Sequence, residues 1–297
     1  MLLDSFLDHL FLEKKYSKHT VQAYKKDLQS FASFCLEQHG IANINTIAYT
    51  SVRSWVVYLM KEQGLENRTV NRKIASLKAY YKFLLLIDEV AVSPLAKHKA
   101  LKISKKIEVP FSEEEMNTVL GKIEYPEDFE GVRDKLLIDL LYSSGMRRAE
   151  LIHLQCSNVN LNTRTLKVLG KRNKERIIPV LESTATLFLA YFKERKKLHI
   201  QEDLDYVFLL KSGNKMYETL VYRIINRYFS KVSTKIKKSP HILRHTFATH
   251  LLNKGADLNA VKELLGHSSL ASTQEYIHNG IEALKKVHAS AHPRGGK

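Results

Sequence analysis

Through the first hundred residues, apolar side chains return every three or four positions, the spacing of one buried helix face. Residues 2–13 put Leu2, Leu3, Phe6, Leu7, Leu10 and Phe11 on one stripe, which predicts an amphipathic helix. Ser17 is the expected cap of a second helix, in which Val21, Tyr24, Leu28, Phe31 and Cys35 recur and which Gly40 stops. Thr50 is expected to open a third, carrying Val52, Trp55 and Leu59, with Gly64 as its stop. Asn67 is expected to cap a fourth, with Val70, Ile74, Leu77, Tyr81 and Leu84 inward. Together they predict a four-helix bundle.

The pattern then changes. Ser93-Pro94 to Pro110 has no apolar stripe and holds Lys97, Lys99, Lys102, Lys105 and Lys106, so it reads as a basic interdomain linker. Ser112 to Glu115 spells a capping box and opens a second domain. Residues 132–144 predict a strongly apolar helix ended by Gly145. Residues 164–170 and 175–180 alternate weakly around Lys171-Arg172-Asn173-Lys174, which predicts a β-hairpin with Asn173 as the left-handed turn residue. Helices are expected at about 182–198, 217–233, 241–254, 257–265, 272–278 and 281–290. The fold class is therefore mainly α with a small β-hairpin or sheet. The expected organisation is a helical domain over 1–92, a linker over 93–110, an α+β domain over 111–280 and a tail over 281–297.

Composition narrows the function classes. Gly (12) and Pro (6) are scarce in 297 residues, which disfavours a turn-rich β fold. No window approaches ~18 consecutive apolar residues, so no membrane insertion is expected. The opening run has acids inside its apolar stretch and no basic leader, unlike a secretory signal. Cys35 and Cys156 are far apart, which argues against a disulfide scaffold or a cysteine zinc site and fits a reducing cytoplasm. The net charge is +16, with +8 in residues 1–106 and +8 in residues 107–297. A basic excess spread over both parts points to a polyanion, and nucleic acid is the commonest one. Lys14, Lys15, Lys18, Lys25, Lys26, Arg68, Arg72, Lys73 and Lys78 lie on the polar faces of the first four helices. The absence of matching acids is expected to favour phosphate contact over a merely solvated face.

Candidate chemistry sits in four short stretches: 145–151, 170–176, 241–250, and 264–269 followed by Tyr276. Ser239 and Pro240 suit the cap and first position of a helix, which puts His241 in its first turn and Arg244 on the same face. Helix N-termini attract phosphate, and a guanidinium there adds a bidentate clamp. Arg147 has a similar setting, between the Gly145 stop and the next helix. Lys171 occupies a hairpin tip, where lysines are usually solvated but where a mobile ammonium can protonate a leaving oxygen. His267 follows a glycine stop, and Tyr276 comes nine residues later in a short segment that Ser272 and Glu275 can cap. Each residue alone has a commoner structural explanation. His241 and His245 have a zinc-compatible spacing, but no Glu stands between them and no third ligand is evident. No metal or cofactor is expected.

Taken in order, Arg147, Lys171, His241, Arg244, His267 and Tyr276 resemble the Arg…Lys…His-x-x-Arg…His/Trp…Tyr hallmark of the tyrosine recombinases, the phage-integrase family. The string His-Ile-Leu-Arg-His-Thr-Phe-Ala-Thr-His-Leu-Leu, then Leu-Leu-Gly-His-Ser and Thr-Gln-x-Tyr, is most similar to the Xer branch, and the resemblance covers essentially the whole chain. Two positions depart mildly: Arg172 stands where relatives often have Gly, and Arg148 directly follows Arg147. The resemblance implies an N-terminal SAM-like core-binding domain and a C-terminal α+β catalytic domain. It implies DNA cut and rejoined through a 3′-phosphotyrosyl link to Tyr276, without ATP or metal. Arg147 and Arg244 would neutralise the phosphorane, His241 and His267 would assist at the phosphate, and Lys171 would protonate the leaving oxygen. The implied partners are double-stranded DNA with a dif-like site, a homotetramer or heterotetramer on synapsed DNA, and an activating septal DNA translocase of the FtsK type. The tail would dock into a neighbouring protomer, or else fold back onto its own domain. The alternatives are an integrase of a phage, plasmid or conjugative element, which the short length mildly disfavours; a type IB topoisomerase; and a non-catalytic DNA-binding protein.

Overall fold

Ser17 and Gly40 show how local chemistry punctuates the chain. In the computed structural model, which describes residues 2–104, 108–170, 175–199, 205–266 and 279–295, the Ser17 hydroxyl accepts the Thr20 N–H at 3.3 Å. Gly40 takes a left-handed φ of 64° and ends the helix between them. The chain forms two compact units, Met1–Lys106 and Ile107–Lys297.

In the first unit, α1 (Leu2–Asp8) runs on through a wider π-helical turn, His9–Glu13. It is followed by α2 (Lys18–His39), α3 (Tyr49–Lys61) and α4 (Asn67–Leu86). The predicted inward positions of α4, Val70, Ile74, Leu77, Tyr81 and Leu84, are all buried. Phe31 and Trp55 meet in the core with ring centroids 4.9 Å apart. Three details differ from the sequence reading. Helix α3 starts at Tyr49 behind Ala48, so Thr50 is inside it. Helix α4 starts at Asn67 itself behind Glu66, because the Asn67 amide donates instead to the Lys102 carbonyl at 2.9 Å. Phe11 leaves the buried stripe and is exposed, since the π turn holds an extra residue and shifts the register.

The basic faces also need a correction. Arg72 and Lys73 have a matching acid, the buried Asp27 on α2. Arg72 donates to both its carboxylate oxygens at 2.6 and 3.1 Å, Lys73 to one at 3.2 Å, and the Ser76 hydroxyl to the other at 2.8 Å. The partners lie more than forty residues apart in sequence, so neighbouring positions could not reveal them. Of the stretch 93–110, Leu95 is buried in the first core, and Leu101 exchanges two 2.9 Å hydrogen bonds with the Asn71 side chain.

The second unit opens at α5 (Glu113–Asn117), closed by the reciprocal bonds of Ser112 and Glu115 at 3.1 and 2.7 Å. At its centre is α6 (Phe129–Ser144), buried along most of its length, the charged Arg133, Asp134 and Asp139 included. Gly145 ends α6 at φ 59°; a Cβ there would lie 2.3 Å from the Phe247 ring, so the position needs glycine twice over. A five-residue helix, α7 (Arg148–Ile152), leads to β1 (Val159–Asn160), β2 (Thr165–Leu169) and β3 (Glu175–Pro179). They form an antiparallel sheet in that order, with Leu166 opposite Ile178 and Val168 opposite Arg176. The expected hairpin thus gains a third strand, too short to show alternation. Its tip, with Lys171 and Asn173, lies outside the described residues. Then come α8 (Glu182–Arg195), α9 (Glu218–Phe229), α10 (Pro240–Asn253), α11 (Leu258–Leu265) and α12 (Asn279–Ala291). The expected helix at 272–278 also falls outside the described residues. The architecture is mainly helical with one small sheet, and no described helix is long and apolar enough to cross a membrane.

Helix α12 packs against its own unit. His288 Nε2 donates to the Ser143 carbonyl at 2.6 Å, His292 Nε2 to the Tyr142 carbonyl at 3.4 Å, and Arg294 ion-pairs with the buried Asp139. Burial lowers the His288 pKa to about 4; burial and then the neighbouring His288 lower His292 to about 3. Both rings are neutral in the native state, whereas an unfolded chain binds their protons below about pH 6.5. The unfolded state therefore holds more protons between these values, and stability falls as pH falls through that window. Each pH unit there costs about 1.4 kcal/mol per histidine. Calorimetry of the second unit's transition from pH 7 to pH 5 is expected to show this loss. The double variant His288→Asn, His292→Gln, which carries neither proton, is expected to flatten the slope.

Candidate active site

The turn between α6 and α7 places Arg147. Gly145 reverses the chain, Met146 is buried as an anchor, and Arg147 occupies the N-cap of α7. Its backbone N–H donates to Glu150 Oε2 at 2.7 Å and its Nη1 donates to Oε1 at 2.8 Å. One carboxylate therefore holds Arg147 by both main chain and side chain. From the other side Arg176, on β3, donates through Nη1 to Oε1 and through Nη2 to Oε2, both at 2.8 Å. Burial alone would raise the Glu150 pKa, but the bonds from Arg176 and Arg147 outweigh it and hold the carboxyl below the ordinary range.

Arg244 lies one turn into α10 and points inward. Nη1 donates to the Gly145 carbonyl at 2.6 Å and Nη2 to the Leu265 carbonyl at 2.7 Å. These oxygens end α6 and α11, where helix dipoles present partial negative charge. Burial, and then the nearby Arg147 cation, lower the Arg244 pKa to about 10, so it stays charged at neutral pH. Two helix C-termini hold this cation. Arg147 thus stands at a helix start, as expected, whereas Arg244, expected at a phosphate-binding helix N-terminus, is held by carbonyls at the ends of two other helices. The first turn of α10 is capped, as expected, by the Ser239 hydroxyl, which accepts the Ile242 N–H at 3.4 Å.

Arg147, Arg176, Arg244 and Glu150 form one cluster with a summed charge of +2, which suits an anion whose charge grows during reaction. His241 shares α10 with Arg244 but turns outward, with 78% of its side chain exposed. Its Nε2 lies 3.5 Å from Glu108, which also accepts from Lys237 at 2.9 Å. Arg148 pairs with Glu218 on α9. Lys171, His267 and Tyr276 lie outside the described residues. The chain on either side of them is informative: β3 begins four residues after Lys171, and Gly266, just before His267, lies against the Arg176 side chain.

Glu150 and Arg176 lie inside the stretches 145–151 and 170–176, but the family hallmark includes neither. Glu150 had a usable signal, an acid three residues after an N-cap, which is capping-box spacing. Arg176 had none, because its partner is 26 residues away. Among the described residues, no three His, Cys, Asp or Glu side chains gather closely enough to hold a metal ion.

Residues 110–282 match the model of the phage integrase family, and residues 3–86 match the phage integrase N-terminal SAM-like domain. The chain is 37% identical to tyrosine recombinase XerC of Chlorobaculum parvum, covering 98% of this chain and 94% of the relative. It is 35% identical to tyrosine recombinase XerC of Staphylococcus epidermidis, covering 99% and 98%. Among solved structures, the Tn1549 transposon integrase in complex with transposon right end DNA aligns with a TM-score of 0.72 at 22% identity, over 96% of this chain and 99% of that one. The XerH site-specific recombinase bound to palindromic difH substrate aligns with a TM-score of 0.71 at 21% identity, over 93% and 81%. At these identities the structural likeness concerns the fold.

Proposed function

Because the chain belongs to the phage integrase family and is a site-specific tyrosine recombinase, an enzyme of DNA strand exchange, we propose that it resolves chromosome dimers at a dif-like site. The observation that carries the reading is near full-length similarity to relatives named XerC. In this reading the substrate is duplex DNA, drawn to the basic excess that each unit carries. The working assembly is a tetramer, of one chain or two, on two synapsed sites, activated by a septal DNA translocase of the FtsK type. Release of α12 from its own Ser143 and Tyr142 carbonyls and its docking on a neighbouring protomer is the contact that would link the protomers head to tail.

The proposed chemistry joins the charged cluster to the residues that the family resemblance implies. The Tyr276 hydroxyl gives up its proton to His241, His267 or water as its oxygen attacks the scissile phosphorus, the Tyr O–P bond forms, and the P–O5′ bond breaks. Lys171 passes its proton to the departing 5′ oxygen. Arg147 and Arg244 neutralise the charge that develops on the non-bridging oxygens, which is why two fixed guanidiniums suffice where other enzymes use a metal. His241 and His267 hydrogen-bond the phosphate or relay protons. The phosphotyrosyl bond keeps the phosphodiester energy, and the 5′ hydroxyl of the partner strand reverses the step.

The test is covalent trapping on nicked suicide duplexes. Adduct is expected on the palindrome from the host's replication terminus and not on a scrambled duplex. Adduct confined to the ends of a phage or transposable element would favour the integrase reading. Plasmid relaxation without any recombination site would favour the topoisomerase reading.

A further inference from the structure

We infer that Arg176 is a positioning residue for strand cleavage, fixing the Arg147 guanidinium against the scissile phosphate through the carboxylate they share. This rests on the proposed reaction. Glu150 by itself is an incomplete holder. Its two oxygens serve the Arg147 backbone N–H and the Arg147 guanidinium at once, so any rotation of the carboxylate plane lengthens one bond as it shortens the other. The Arg176 fork engages both oxygens in parallel and sets that plane. A lysine has no such fork.

Arg176 is itself held firmly. Its side chain is 14% exposed, its Nε donates to the Leu264 carbonyl at 3.3 Å, and its neighbour Val168 pairs it into the sheet. Gly266 completes the fit, since a Cβ there would come within 2.9–3.0 Å of the Arg176 Cδ, Nε and Nη1 atoms. One guanidinium thus joins β3, the start of α7 and the end of α11. The strand follows Lys171 in the chain, and the end of α11 precedes His267. Charge points the same way. Without Arg176, Glu150 would cancel the field of Arg147 at the phosphate; with it, Arg147 and Arg244 act as two net cations.

The experiment uses the full-length chain, saturating suicide duplex and single-turnover adduct formation. Arg176→Met and Arg176→Lys are each expected to slow cleavage at least about tenfold, with the DNA Kd changed less than about threefold. Arg176→Lys keeps the cation and the aliphatic stem, so it covers the case in which Arg176→Met fails to fold. Two further readouts separate positioning from mere structure. In a Glu150→Gln background, Arg176→Met is expected to cost less than about threefold, because its route of action is already cut. On a duplex whose scissile phosphate carries a neutral methylphosphonate, the Arg176 deficit is expected to shrink at least about fivefold, because less charge needs Arg147. Cleavage by both variants at the wild-type rate would overturn the inference. So would a deficit that is additive with Glu150→Gln and equal on both substrates. A wild-type chain that forms no adduct on any duplex would overturn the proposed reaction, and this inference with it.

Discussion

Tyr276→Phe is expected to abolish the covalent protein–DNA adduct and leave DNA binding nearly unchanged. The substitution removes one hydroxyl and keeps the ring, so any packing by the ring is retained. A phenol with a pKa near 10 is a poor nucleophile at neutral pH, and its attack depends on cations that stabilise the charge passed to phosphate. Once the oxygen is gone, those cations have no nucleophile to assist, and the adduct rate should fall by at least about a thousandfold. Binding depends on many basic side chains, and the net charge of +16 does not change. Denaturing gels of protein on suicide duplex read the adduct, and native gels read the binding. A phenylalanine variant that still forms adduct would place the nucleophile elsewhere.

Arg244→Lys is expected to lower cleavage at saturating DNA by at least about a hundredfold, the scale of losing one fixed donor to a developing oxyanion. The structural reason is specific. The guanidinium bridges the Gly145 and Leu265 carbonyls while staying charged beside Arg147. A single ammonium on a flexible four-carbon stem cannot span both carbonyls and has no planar face to keep toward the phosphate. Arg244→Ala should cost more, because two part-buried carbonyls then lose their donor, at about 1–3 kcal/mol each. Although lowered to about 10, the Arg244 pKa stays above the working range, so this group adds no step to the rate profile between pH 6 and 8. Single-turnover rates with thermal melts of each variant measure both effects. Unaltered cleavage by Arg244→Lys would show that charge alone matters at this position.

Much of the molecule was determined by short-range pattern. The inward stripe of α4, the caps at Ser17, Ser112 and Ser239, and the glycine stops at Gly40, Gly145 and Gly266 each depend on residues within one or two turns. A sequence displays such neighbours directly, so helix order, the hairpin and the mainly helical class were legible. The exact starts of α3 and α4 were not, because a cap competes with tertiary partners, as Asn67 does when it bonds to Lys102. The same holds for charge. Asp27 with Arg72 and Lys73, Glu150 with Arg176, and Asp139 with Arg294 join residues from 26 to over a hundred positions apart. Only packing decides which acid meets which base, since many acids and bases compete and sequence spacing does not rank them. Only packing also turned Arg244 toward two helix C-termini and His241 toward solvent, although the two stand three residues apart on one helix. The sequence determined which residue types could carry the chemistry; the tertiary structure decided which guanidiniums share a carboxylate and where their charge is held.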